Sequence, residues 1–116
     1  MNMICKRFIF LLSIGFAATA QAATAVAEIA HLLQFVEGTQ CRYERNGKMH
    51  GGKEAAEHIR KKYAHFKDEI TTAEDFIALS ATKSEMSGKK YRVFCGDKKV
   101  QDSDRWLLEE LKRYRQ

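Results

Sequence analysis

Val26, Ile29, Leu32, Leu33 and Val36 recur at helical spacing, with Glu28, His31 and Gln34 on other faces and Gly38 following as a stop. This pattern predicts a first helix over 24–37. From Thr39 to Arg45 the period changes to two, with Cys41, Tyr43 and Arg45 on one face and Arg42 and Glu44 on the other, and Asn46-Gly47 reads as a turn. A second helix over 52–66 gathers Ala55, Ala56, Ile59, Tyr63 and Phe66 on one side, opposite Glu57, Arg60 and Lys61. Thr71-Thr72-Ala73-Glu74 has the spacing of a capping box from Thr71 to Glu74, and opens a third helix that buries Ala73, Phe76, Ile77 and Ser80 or Leu79. Alternation returns in Lys89 to Cys95, with Tyr91, Val93 and Cys95 together. A last helix, capped by Asp102 or Ser103, carries Leu107, Leu108, Leu111 and Tyr114 as its apolar stripe.

The chain ahead of these elements has a different character. Met1 to Arg7 is basic, Phe8 to Ala18 is mostly apolar, and Ala20-Gln21-Ala22 offers small residues at the two recognition positions of a signal peptidase. Residues 1–22 are expected to be a secretory signal cut after Ala22 or Ala20, since the apolar core is shorter than the roughly 20 residues of a membrane span. Residues 23–116 then form one periplasmic domain, with no transmembrane segment after cleavage. Cys5 leaves with the signal, and Cys41 and Cys95 remain as an even pair in an oxidising compartment, where a disulfide is the default. Closing a loop of that length contributes about 4 kcal/mol in the chain-entropy model.

Pairing the cysteines fixes a register. If the strands run antiparallel with Cys41 opposite Cys95, Tyr43 meets Val93 and Arg45 meets Tyr91, a cation–π contact, while Arg42 meets Phe94 and Glu44 meets Arg92 behind them. A lone ribbon is marginal in water and needs helices over it. The expected fold is α+β, a two-stranded antiparallel ribbon covered by about four helices in the order α-β-α-α-β-α.

Arg45-Asn46-Gly47, Ala55-Ala56-x-His58-Ile59-Arg60-x-Lys62, Thr72-Ala73-Glu74-x-Phe76-Ile77, Ser87-Gly88-Lys89-x-Tyr91 and Trp106-Leu107 follow one another in an order and spacing that resemble the YfeK-like family of small exported bacterial proteins. The likeness covers about Tyr43 to Leu111. It implies a periplasmic address and a single domain, and transfers no catalytic role, because that family is one of unknown function.

Size and charge exclude several classes. About ninety residues bury only about 60 to 65% of the unfolded chain's surface, which leaves no room for a second domain or a deep cofactor cleft, and no cofactor is expected. Without Lys6 and Arg7 the chain has 18 Lys and Arg against 15 Asp and Glu. That slight excess, with no aromatics among Arg60-Lys61-Lys62 or Lys98-Lys99, does not support nucleic-acid binding. No Gly-x-Ser-x-Gly or Ser-x-x-Lys hydrolase motif is present.

Three groups of residues carry candidate chemistry. Arg45, Asn46, Lys48, His50, Gly51, Gly52 and Lys53 combine two glycines at a helix start with three cations, as an anion site requires; a plain connection with exposed lysines fits the same residues. His50, Glu54 and His58 form a possible metal half-site, against the simpler reading of a carboxylate steadying an imidazole. Trp106 lies off the last helix's apolar stripe, either as an exposed interface anchor or folded back on the preceding strand. The leading expectation is a periplasmic, non-enzymatic binding or interaction module for an anionic group or an envelope protein. The alternatives are a small metal-dependent or hydrolytic enzyme at His50, Glu54 and His58, and a structural or stress-related envelope protein without a small-molecule site.

Overall fold

The computed structural model describes residue 22 and residues 24–116. The expected signal over 1–22 therefore lies outside the described residues, apart from Ala22.

Helix α1 spans 24–37 and stops where the Gly38 amide bonds Gln34 O at 3.0 Å. Strand β1 (Arg42–Arg45) turns through Asn46 and Gly47 into β2 (Lys48–His50). Both turn residues have positive φ, 53° and 80°, the pairing that a two-residue hairpin needs and that Asn-Gly supplies most readily. Helix α2 (Gly52–His65), a short 3-10 turn (Lys67–Glu69) and α3 (Ala73–Ser80) follow, then β3 (Arg92–Phe94), β4 (Gln101–Asp102) and α4 (Ser103–Tyr114).

The fold is α+β with four helices, and the expected ribbon is present. Arg42 faces Phe94, Tyr43 faces Val93 and Glu44 faces Arg92, with the Cys41–Cys95 disulfide at its end. Glu44 and Arg92 pair at 2.8 Å as the register requires. The sheet is wider than a ribbon, however, with four antiparallel strands in the order β2-β1-β3-β4. The cation over Tyr91 is also a different one: Lys62 from α2 lies 5.1 Å from the ring centroid.

Helices cover one side of this sheet. The core joins Leu32 and Val36 of α1, Ala56 and Ile59 of α2, Phe76 and Ile77 of α3, Leu107 and Leu111 of α4, and Tyr43, Tyr91 and Val93 from the strand layer. Glu57, Arg60 and Lys61 are exposed, as the α2 pattern predicts. The capping box of α3 sits one residue later than expected. Thr72 accepts from the Asp75 amide at 3.0 Å and Asp75 takes the Thr72 amide at 3.2 Å, which frees Glu74 for Arg115.

Helix α4 departs most from its expected face. Trp106 is 6% exposed, packed at 4.7 Å from Phe35 of α1 and 6.4 Å from Tyr43 of β1, so it is a core residue and not an interface anchor. Leu108 and Tyr114, expected inside, are each 44% exposed. Ser103 is wholly buried and hydrogen-bonds Tyr43 Oη. At about 100° per residue Ser103 stands between Trp106 and Leu111, so the buried arc is centred on the serine. On α1 the same correction applies: Val26 is exposed, while Glu28 is buried beneath Arg115.

Candidate functional site

Helix α2 runs from the hairpin past the 81–91 segment, and its polar flank brings several charged groups together. Gly52, at its start, lies under the end of α1. A Cβ there would fall 2.3 Å from Val36 O, so close packing of two backbones requires the glycine. One turn on, Glu54 accepts from His50 Nδ1, and its carboxyl is lowered by that hydrogen bond and then by the charges of His50 and Arg45. The positive end of the helix thus already faces a protein carboxylate. His50 Nε2 is buried and makes no hydrogen bond to a described residue.

Two and three turns along, His58 and Lys62 meet Tyr91. Lys62 Nζ donates to Tyr91 Oη at 3.3 Å and to the Lys83 carbonyl at 2.6 Å, and its carboxylate neighbour is Glu85 at 3.4 Å. His58 Nε2 stands 3.2 Å from the same phenol oxygen. Burial lowers the His58 ring to about 4, helped by the charges of Arg45, Lys62, Lys61 and His50. The Tyr91 oxygen accepts from the ammonium and shares its second hydrogen bond with the neutral imidazole, whose tautomer sets which of the two donates. Burial also lowers Lys62, with Arg45 and Lys83 adding to it and Glu85 opposing, and burial raises Tyr91.

The loop that presents Lys83 and Glu85 is fixed to the hairpin. Asn46 Nδ2 donates to Ser84 Oγ at 3.3 Å and Ser87 Oγ donates to Asn46 Oδ1 at 2.6 Å. The Tyr91 amide bonds Thr82 O at 2.9 Å, and Lys83 pairs with Lys90 in a single β-bridge.

The structure brings some of the residues singled out in the sequence together and leaves others apart. Arg45 is half-buried near Glu54, His58, Lys62 and Tyr91, yet its guanidinium makes no hydrogen bond or ion pair with another described residue. Asn46 is engaged with Ser84 and Ser87. Lys48, Gly51 and Lys53 are exposed. His50 and Glu54 touch, but His58 turns to Tyr91, and among the described residues no group of three or more His, Cys, Asp or Glu side chains is placed to hold a metal ion. Sequence reasoning missed Lys62, Lys83, Glu85 and Tyr91. The available signal was the one-turn spacing of His58 and Lys62 on the flank of α2 nearest Arg45.

Around His58 the positive groups Arg45, Lys61, Lys62 and Lys83 face the carboxylates Glu54 and Glu85. Such an arrangement can hold an anion: Arg45 offers a free planar fork, and the neutral His58 gains a favourable proton when negative charge arrives.

Residues 23–115 match the model of a family described as a family of unknown function, DUF5329. Over 49 residues the chain is 41% identical to the uncharacterized protein YfeK of Salmonella typhimurium, a match that covers 42% of this chain and 41% of that protein. The chain therefore spans under half the length of the curated relative it matches. No solved structure matches.

Proposed function

We propose, starting from the fact that the chain belongs to DUF5329, a family of unknown function, that it is a non-enzymatic periplasmic binding module that recognises an anionic group through Arg45, His58 and Lys62. The observation that carries this reading is the half-buried Arg45, whose guanidinium makes no hydrogen bond or ion pair among the described residues, near a lysine and a histidine that both meet Tyr91. Like charges gathered around His58 and Lys62 repel one another, and a bound carboxylate or phosphate offsets that repulsion. The periplasmic address rests on the signal-like segment, and the Cys41–Cys95 disulfide agrees with it. Among the described residues no helix is long and apolar enough to cross a membrane.

Compared with a site built on the backbone amides at Gly51 and Gly52, this reading keeps Arg45 and moves the remaining contacts along α2. A titration of the oxidised protein with inorganic phosphate and with a short acidic peptide, followed through the His58 ring protons, tests it. Binding is expected to raise the His58 pKa from about 4 toward its ordinary value, because the anion offsets the neighbouring cations. Arg45→Gln and Lys62→Gln should each weaken the response, and added salt should weaken it further. A His58 titration unmoved by either ligand rules the reading out.

A further inference from the structure

At the other end of β1 from Arg45, the start of the strand and the last helix enclose a separate hollow. It has a volume of about 420 Å³ and is lined by Phe35, Trp106, Cys41 and Cys95, with Lys98 and Arg113 among its polar members. That volume lies within the usual range of small-molecule sites, about 300 to 1,000 Å³. The wall is apolar and polarisable: the Phe35 and Trp106 ring centroids lie 4.7 Å apart, their planes tilted by 40°, beside the disulfide.

The charges around it are unequal in availability. Arg113 Nε donates to Glu110 at 2.9 Å, and Glu109 accepts from Gln101 at 3.2 Å. The Lys98 ammonium makes no hydrogen bond or ion pair with another described residue. One uncommitted positive charge suits a single negative charge, and the Glu109 carboxylate in the same lining disfavours a second. An apolar wall with one convergent charged group is the usual composition of a pocket that orients an amphiphilic ligand.

We propose that this hollow binds a small monocarboxylic acid with a flat aromatic body, its ring against Trp106, Phe35 and the Cys41–Cys95 bridge and its carboxylate on Lys98. The site is independent of the anion reading above, because none of its residues belongs to the Arg45, His58, Lys62 group.

Phenylacetate is a suitable probe, with phenylacetamide and acetate as its uncharged and ringless counterparts, added to the oxidised protein. The readouts are the indole N–H resonance and the fluorescence of Trp106, the chain's single tryptophan. Phenylacetate should give a saturable change, and the other two should bind at least about tenfold more weakly. Lys98 is exposed, so Lys98→Gln should fold normally; it should lower phenylacetate affinity about tenfold and leave phenylacetamide binding as it was. No saturable change at millimolar phenylacetate, equal binding of the amide, or an unchanged affinity in Lys98→Gln would each overturn the proposal. The His58 resonances, which report the other site, should stay still throughout.

Discussion

Replacing Arg115 with alanine should be the most damaging single change to a side chain that is itself largely at the surface. From the end of α4 its guanidinium forms two bidentate pairs. Nε and Nη2 donate to Glu28 of α1 at 2.7 and 3.0 Å, and Nη1 and Nη2 donate to Glu74 of α3 at 2.8 and 3.0 Å. These hydrogen bonds hold the guanidinium well above its ordinary pKa and lower Glu74. The two pairs differ in worth because the Glu28 side chain is 7% exposed and that of Glu74 is 50% exposed.

The Glu74 half resembles a surface ion pair and contributes about 0.5 kcal/mol. The Glu28 half matters through what its loss leaves behind, a carboxylate buried without a partner. A fully buried orphan charge costs about 3 to 5 kcal/mol, but Arg115 is 42% exposed, and water entering its place reduces this to about 2 kcal/mol. Arg115→Ala should therefore lose about 2 to 3 kcal/mol in urea melts at pH 7, with an unchanged m-value. Adding Glu28→Gln to Arg115→Ala removes the orphaned charge and should recover about half of the loss. A loss below about 0.5 kcal/mol, or no recovery in the double variant, would refute the argument.

Free-thiol labelling of the unfolded, unreduced mature protein should find no reactive cysteine, since Cys41 and Cys95 are bonded; two labelled thiols would contradict both the bridge and the β1–β3 register. Gly52→Ala should cost about 1 to 3 kcal/mol in the same melts because its Cβ would meet Val36 O, whereas Gly51→Ala, with nothing within 4 Å, should stay within about 0.5 kcal/mol. The His58 ring should titrate near 4 in the folded protein against 6.5 unfolded. The unfolded chain then binds more protons between those values, so stability present above pH 6.5 is lost as pH falls through 4, and His58→Gln should flatten that part of the profile.

The ribbon was legible in the sequence because two independent signals, period-two alternation and the cysteine pair, agree on one register. Strands β2 and β4 were not, since three and two residues are too few to show a period. Their existence follows from their neighbours: Asn46-Gly47 returns the chain beside β1, and β4 pairs with β3 immediately before α4 begins. The faces of α1 and α4 misled for a common reason. Each pattern counts every apolar residue as inside and every polar residue as outside, yet Ser103 is buried with Tyr43 and Glu28 is buried with Arg115. Polar groups whose partners lie 60 or 87 residues away carry no local mark of burial. Trp106, which looked off the stripe, is covered by Phe35 from one side and Tyr43 from the other.

The residues of the proposed anion site show the same division between local and distant information. Arg45 and His58 were singled out because turn and helix signals lie beside them. Tyr91 and Lys62 were not, because their significance depends on a contact across 29 residues. The structure also supplies what the sequence lacked, a carboxylate already placed against the lysine. Glu85 lies 3.4 Å from Lys62, and its side chain is 54% exposed where that of Lys62 is 11% exposed, so water screens the pair from the carboxylate side only. In the proposed reading an anion would compete with that contact by reaching Lys62 and the fork of Arg45 together, two charge-assisted partners against one. Glu85 would then reduce the repulsion among the cations in the unbound protein without closing the proposed site to a ligand of the same charge.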